Sequence, residues 1–176
     1  MYEPVTPRND TQRFGTITIG WGSGPLALDQ GRTYIVLDER REKAFRMASE
    51  LIVLGSEVLC ISNAHPELSE GLWFGKRPRF ISLCERPVGN GIAPGQLSLL
   101  GREISEFASE RSNAVVLLDG IEYLASHNDF HRLQMFVEHL NDIAMEMGSI
   151  MIIQTDARSF DRRSLARLGR FAETVG

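Results

Sequence analysis

The sequence predicts an α/β fold: three layers, with a mostly parallel sheet of about five core strands between helices. Three observations carry this. Short apolar runs recur at residues 31–37, 57–62, 79–85, 114–118 and 149–155. Several run without alternation, the pattern of strands covered on both faces. Between them lie segments with helical periodicity, and strands alternating with helices call for parallel pairing through crossovers.

Each element has its own signals. Residues 1–28 form a distinct arm or extra hairpin ahead of a single domain at 29–176. Pro4, Pro7, Asn9, Asp10 and Gly15 mark the arm as irregular. Thr16-Ile-Thr-Ile19 suits a short strand, with a further edge of the sheet as one place for it. Gly20-Trp-Gly-Ser-Gly-Pro25 reads as a turn or linker, because no Lys-Ser/Thr follows and Pro25 opens no apolar helix. Trp21 suits either a cap on the core or a partner surface.

The first core strand, 31–37, is rich in β-branched and aromatic residues. The helix after it carries Ala44, Phe45, Ala48, Leu51 and Ile52 on one stripe, and Gly55 is placed to end it. The second strand is 57–62, followed by a turn at Asn63-Ala-His-Pro66 and a short helix or loop through Trp73. The third is 79–85, and Arg86-Pro-Val-Gly-Asn-Gly91 has turn chemistry. A helix over 94–112 buries Leu97, Leu100, Ile104 and Phe107, with Pro94 in its first turn. The fourth strand ends in Asp119, and a short helix or loop covers 121–126. Asn128 or Asp129 caps the next helix. Its face is Phe130, Leu133, Val137, Leu140, Ala144 and Met147, and Gly148 stops it. The fifth strand ends at Thr155-Asp156, and a final helix over 161–174 buries Leu165, Leu168 and Ala172.

Composition narrows the classes of function. At 176 residues the chain suits one domain with a real core. A net charge of -4 gives no global attraction for nucleic acid. No apolar run approaches a bilayer span of roughly 20 residues. The first seven residues carry an acid and two prolines and no apolar signal region. Cys60 and Cys84 sit in apolar runs and read as reduced, buried side chains. A cytoplasmic location is the expectation.

Chemistry, where it exists, gathers at the strand ends. Asp38, Asp119 and Asp156 each close a strand, Glu39 and Glu122 add charge, and Lys43 and Arg158 offer neutralisation. Such a rim either orients a ligand or cation, or caps helices and bonds backbone amides. The segment Asp38-Glu-Arg-Arg-Glu-Lys43 has no glycine, and its two leading acids repel a triphosphate, so it is no P-loop. His127 and His131 are four apart, but His131 and His139 fall on a wet face, and His65 precedes Pro66 in a turn. No metal site, cofactor or catalytic residue is expected. Arg162, Arg163, Arg167 and Arg170 make the C-terminal segment locally basic, as a solvated face or an interaction surface for an acidic protein or a phosphate backbone.

Several segments also resemble one family. They are Gly31-Arg-Thr-Tyr-Ile-Val36, Glu42-Lys-Ala-Phe45, Val58-Leu-Cys-Ile-Ser62, Val115-Val-Leu-Leu-Asp-Gly-Ile-Glu-Tyr-Leu124, Asn128-Asp-Phe130 and Thr155-Asp-Ala-Arg158. Together they look like an archaeal domain-of-unknown-function family (DUF 835), over about 28–171. Ala157 departs from it, since members often carry proline there. The family is similar to a RecA/KaiC-like ATPase core that has lost its P-loop. The resemblance implies a sheet order of 3-2-4-5-1 and makes the strand ending in Asp119 the counterpart of a Walker B strand. It implies a non-catalytic module for protein interaction or signalling, with a protein partner or a second copy of the chain. Two alternatives are a small-ligand or nucleotide sensor on the acidic rim, and a nucleic-acid-associated protein using the C-terminal arginines.

Overall fold

The computed structural model describes residues 14–176. The expected irregularity at Pro4, Pro7, Asn9 and Asp10 lies outside the described residues. The described chain begins with strands β1 (Thr16–Trp21), β2 (Gly24–Asp29) and β3 (Thr33–Leu37), then helix α1 (Lys43–Val53) and β4 (Glu57–Ser62). A 3-10 turn at Pro66–Leu72 leads to β5 (Arg79–Leu83), the two-residue β6 (Gly91–Ile92) and α2 (Leu97–Ser109). The rest is β7 (Ala114–Asp119), α3 (Ile121–His127), α4 (Phe130–Met147), β8 (Ile150–Thr155), α5 (Arg162–Leu168) and β9 (Glu173–Val175).

The main sheet runs β6-β5-β4-β7-β8-β3-β9, parallel throughout. Its five inner strands have the 3-2-4-5-1 order that the resemblance implies. The layers separate cleanly. One face packs Ile35, Leu59, Ile61, Val116, Leu118 and Ile153 against apolar residues of α2, α3 and α4 and Leu168 of α5. The other packs Tyr34, Val36, Cys60, Leu117 and Ile152 against α1. Every residue of β7 and β8 is buried, as the unbroken apolar runs require.

Four local expectations are corrected. The last helix stops at Leu168, not 174, and Glu173–Val175 becomes an edge strand on β3. Three residues are too few to display a strand period, and Val175 gains burial by pairing there. Leu165 and Ala172, expected in the core, are half-buried. Pro94 lies ahead of α2, whose N-cap is Gln96. Cys84 lies just past the end of β5 and is half-buried.

The arm's strands pair with each other rather than with an edge of the main sheet, where β9 already occupies the outer side of β3. Gly22, at positive φ, opens their two-residue turn. Ile17, Ile19 and Trp21 alternate inward from β1 and join Leu26 and Leu28 on the α1-side core. Glu50 of α1 accepts a 2.9 Å hydrogen bond from the Gly20 amide, and Trp21 Nε1 donates to the Gly176 carbonyl.

Caps follow sequence logic at α4. Asp129 accepts the Arg132 amide at 2.9 Å, and Gly148 closes the helix in the left-handed conformation. Asp129→Ala is expected to cost about 1 kcal/mol in urea unfolding, with the fold retained. A loss below about 0.3 kcal/mol would show that packing alone holds this end.

Candidate functional site

Strand register builds the site. Ser82, Ser62, Asp119, Gln154 and Val36 are consecutive partners across the carboxyl edge of the sheet. Paired residues in a parallel ladder share a face. This row therefore lies on the α1 side, one pleat beyond Cys60, Leu117 and Ile152.

Asp119 is 1% exposed and fully engaged. Arg41 grips it with two hydrogen bonds, Nε to Oδ1 at 2.9 Å and one Nη to Oδ2 at 2.6 Å. Ser62 donates to Oδ2 at 2.8 Å. The same Arg41 nitrogen reaches Asn63 Oδ1 at 3.4 Å. Bonding to Asp119 raises the Arg41 pKa above its ordinary value, against an opposing effect of burial. Arg41 is also the only non-glycine residue at positive φ among the described residues, at 60°. Its backbone strain is held in place by a specific turn.

Asp38 makes that turn. Its carboxylate accepts the amides of Arg40, Glu42 and Lys43 at 2.9–3.2 Å. Burial pushes the Asp38 pKa up, but the amides of Lys43, Arg40 and Glu42 outweigh it and hold it below the usual value. Asp38 is thus a capping acid for the strand-to-helix turn that aims Arg41 at Asp119. Gln154 supports it from beneath, donating to the Asp38 carbonyl at 2.8 Å. Its own Oε1 is buried without a hydrogen-bond partner.

The remaining strand-end charges form a second group. Glu122 accepts the Thr155 hydroxyl at 2.7 Å and the Asp156 amide at 3.0 Å, tying α3 to the end of β8. Asp156 accepts from the Arg158 amide and side chain. That side chain, then the amide, holds the Asp156 pKa below its ordinary value. Arg158 also pairs with Glu39 at 3.6 Å, at the surface. Lys43 is exposed at the start of α1, and Arg162, Arg163, Arg167 and Arg170 are exposed on α5 and just beyond it. Among the described residues no cluster of His, Cys, Asp and Glu is arranged to hold a metal. No helix among them is long and apolar enough to cross a membrane.

The cavity lies on the other side of Asp119. A cleft of about 430 Å³ opens over β4 and β5, between the Arg40–Glu42 turn and the 3-10 turn at Pro66–Leu72. Of the four aspartate and glutamate residues Asp38, Asp119, Glu122 and Asp156, Asp119 alone lines it. Reading the sequence missed both Arg41 and the cleft. An unglycinated strand-to-helix turn was visible, but Arg41 meets a partner 78 residues away. The one available signal was a turn rich in cations, Arg40, Arg41 and Lys43, at the same sheet edge as a strand-end acid.

A separate pair lies near the same edge. His127 Nε2 is 3.1 Å from Glu85, and its Nδ1 is 3.0 Å from the Tyr123 carbonyl. The Tyr123 carbonyl, then Glu85, raises the His127 pKa. A raised histidine pKa stabilises the fold fully below its unfolded value of about 6.5, and the effect fades as pH rises through the folded value. An NMR titration of the His127 ring is therefore expected to show a midpoint above 6.5. Glu85→Gln should move it down, and an unchanged midpoint would remove Glu85 from the account.

Comparison with known proteins agrees with this architecture. No functionally curated protein matches the chain in sequence. Among solved structures, a KaiC-like protein from the hyperthermophilic archaeon Pyrococcus horikoshii OT3 superposes with a TM-score of 0.52 at 15% identity. The match covers 75% of this chain and 66%, just under two thirds, of that protein. At that identity the likeness establishes the fold, which is RecA-like. The sequence itself matches the family described as "Protein of unknown function (DUF835)" over residues 37–171, from the end of β3 to beyond α5, and the chain belongs to that family.

Proposed function

We propose that this domain is a non-catalytic, RecA/KaiC-like module that works by binding a protein partner, in a regulatory or signalling role. The observation that carries the reading is the Arg41–Asp119 pair. In a RecA-like ATPase the first strand-to-helix loop wraps phosphates, and the acid at the position of Asp119 faces magnesium. Here that loop carries an arginine whose guanidinium takes both carboxylate oxygens. The turn has no glycine, and Asp38 occupies three of its amides. Those amides are the donors a phosphate would need.

Surface chemistry supports the partner side of the reading. Val53, Leu54 and Phe74 are exposed large apolar residues. The Phe74 amide donates to Ser49 of α1, one helical turn before Val53, which ties the segment after the 3-10 turn to that helix. Calorimetry of the intact chain with ATP, ADP and GTP plus magnesium is expected to show no binding and no turnover. Micromolar binding, with turnover that Asp119→Asn abolishes, would overturn the reading.

A further inference from the structure

The cleft beside Asp119 has features that the ion pair does not use. Ser62 and Ser82 give it a polar floor, and Phe45, Phe80 and Leu72 give it apolar walls. Trp73 packs between the two phenylalanines, at 5.7 Å from Phe45 and 6.2 Å from Phe80, so the aromatic wall is braced. Leu68 stands at the mouth, 78% exposed. A cavity of about 430 Å³ with apolar walls and a few convergent polar groups has the build of a small-molecule site.

Charge narrows the ligand. Arg40 and Arg41 line the cleft together with Glu42 and Asp119, so two cations and two anions cancel. Arg41 commits Nε and one Nη to Asp119, which leaves its other Nη for a ligand. The Arg40 side chain makes no hydrogen bond or ion pair among the described residues. A single carboxylate finds one cation, Arg40, that no acid has already taken. The several charges of a nucleotide triphosphate would meet Glu42 and Asp119 without enough cations to offset them.

We propose that this cleft binds a small organic monocarboxylate with an aromatic or branched apolar body. The carboxylate sits between Arg40 and the free Nη of Arg41, where charge-assisted hydrogen bonds are strongest. The body lies against Phe45 and Phe80, with the Ser82 hydroxyl available to a hydroxyl or keto substituent. The site is distinct from the surface of Val53, Leu54 and Phe74, and the inference does not depend on the protein-partner reading.

The test is an NMR titration of the intact chain with 3-phenylpropionate, its uncharged amide, butyrate, and ATP with magnesium. The acid is expected to shift the backbone amides of Ser62, Ala64 and Ser82, and to bind roughly tenfold more tightly than the amide. Butyrate should bind more weakly than 3-phenylpropionate. Arg40→Ala, a change at an exposed side chain, should bring the acid down to the affinity of the amide. Leu68→Asp should weaken both. The proposal is overturned by no shift at the cleft up to about 10 mM acid, a range that spans weak millimolar binding. It is also overturned by equal affinity for acid and amide, by an Arg40→Ala variant that binds as wild type does, or by a stronger cleft response to ATP.

Discussion

Arg41→Ala is expected to destabilise the domain by about 2–3 kcal/mol in urea unfolding, while Asp119→Asn costs only about 1 kcal/mol. The asymmetry comes from burial. The Asp119 side chain is 2% exposed and Arg41 is 45% exposed. Removing the arginine leaves a buried carboxylate with only the Ser62 hydroxyl. Removing the acid leaves a cation that water already reaches. A fully buried pair broken on one side loses roughly 3–5 kcal/mol, and the solvent at Arg41 places this case lower. Backbone strain adds a second signature. Arg41→Gly loses the same pair, but glycine accepts positive φ freely, so this variant should be about 1 kcal/mol more stable than Arg41→Ala. The double variant Arg41→Ala/Asp119→Asn should cost less than the two single changes added together. Additive costs, or an Arg41→Ala variant within about 0.5 kcal/mol of wild type, would show that the pair does not hold this edge.

Leu117→Ala should have the larger effect, about 3–4 kcal/mol, with a matching fall in urea midpoint. Leu117 lies in the middle of β7, between β4 and β8, and is fully buried. Its side chain belongs to the cluster that holds Phe45, Ala48, Leu51, Cys60 and Ile152. A strand with neighbours on both sides and helices over both faces has little freedom to collapse into the space left behind. The cost therefore includes the cavity as well as the lost transfer of the side chain. Leu117→Ile, nearly equal in volume and β-branched, should lose less than about 1.5 kcal/mol. If both variants lost the same amount, shape rather than volume would be limiting at this position.

How much was legible depended on how local the cause was. The runs at 57–62, 114–118 and 149–155 showed themselves because a strand buried on both faces carries apolar side chains along most of its length. Of the two caps read for α4, Asn128 and Asp129, the structure uses Asp129, and Gly148 ends the helix as read, since capping acts within a few residues. Edge strands β6 and β9 left no trace, because two or three residues cannot carry a period. The acids at the strand ends were all visible, and so was Arg158 as a neutralising partner, but the partner of Asp119 was not. Asp38 bonds its own turn, Glu122 holds the end of β8, and Asp119 is taken by Arg41. Acids gathered at one edge of the sheet thus serve three different roles.

The sequence by itself determined the layering of this protein: which runs are interior strands, which helical faces turn inward, and that the first strand-to-helix turn has no glycine cradle for phosphate. These follow from local periodicity and side-chain chemistry. Only the tertiary structure decided that Arg41 closes on Asp119 and that a cleft remains beside that pair. The physical reason is distance along the chain. Sheet register places Ser62 and Asp119 side by side, and a strained turn 78 residues before Asp119 supplies its cation. No local pattern encodes a contact made by that closure.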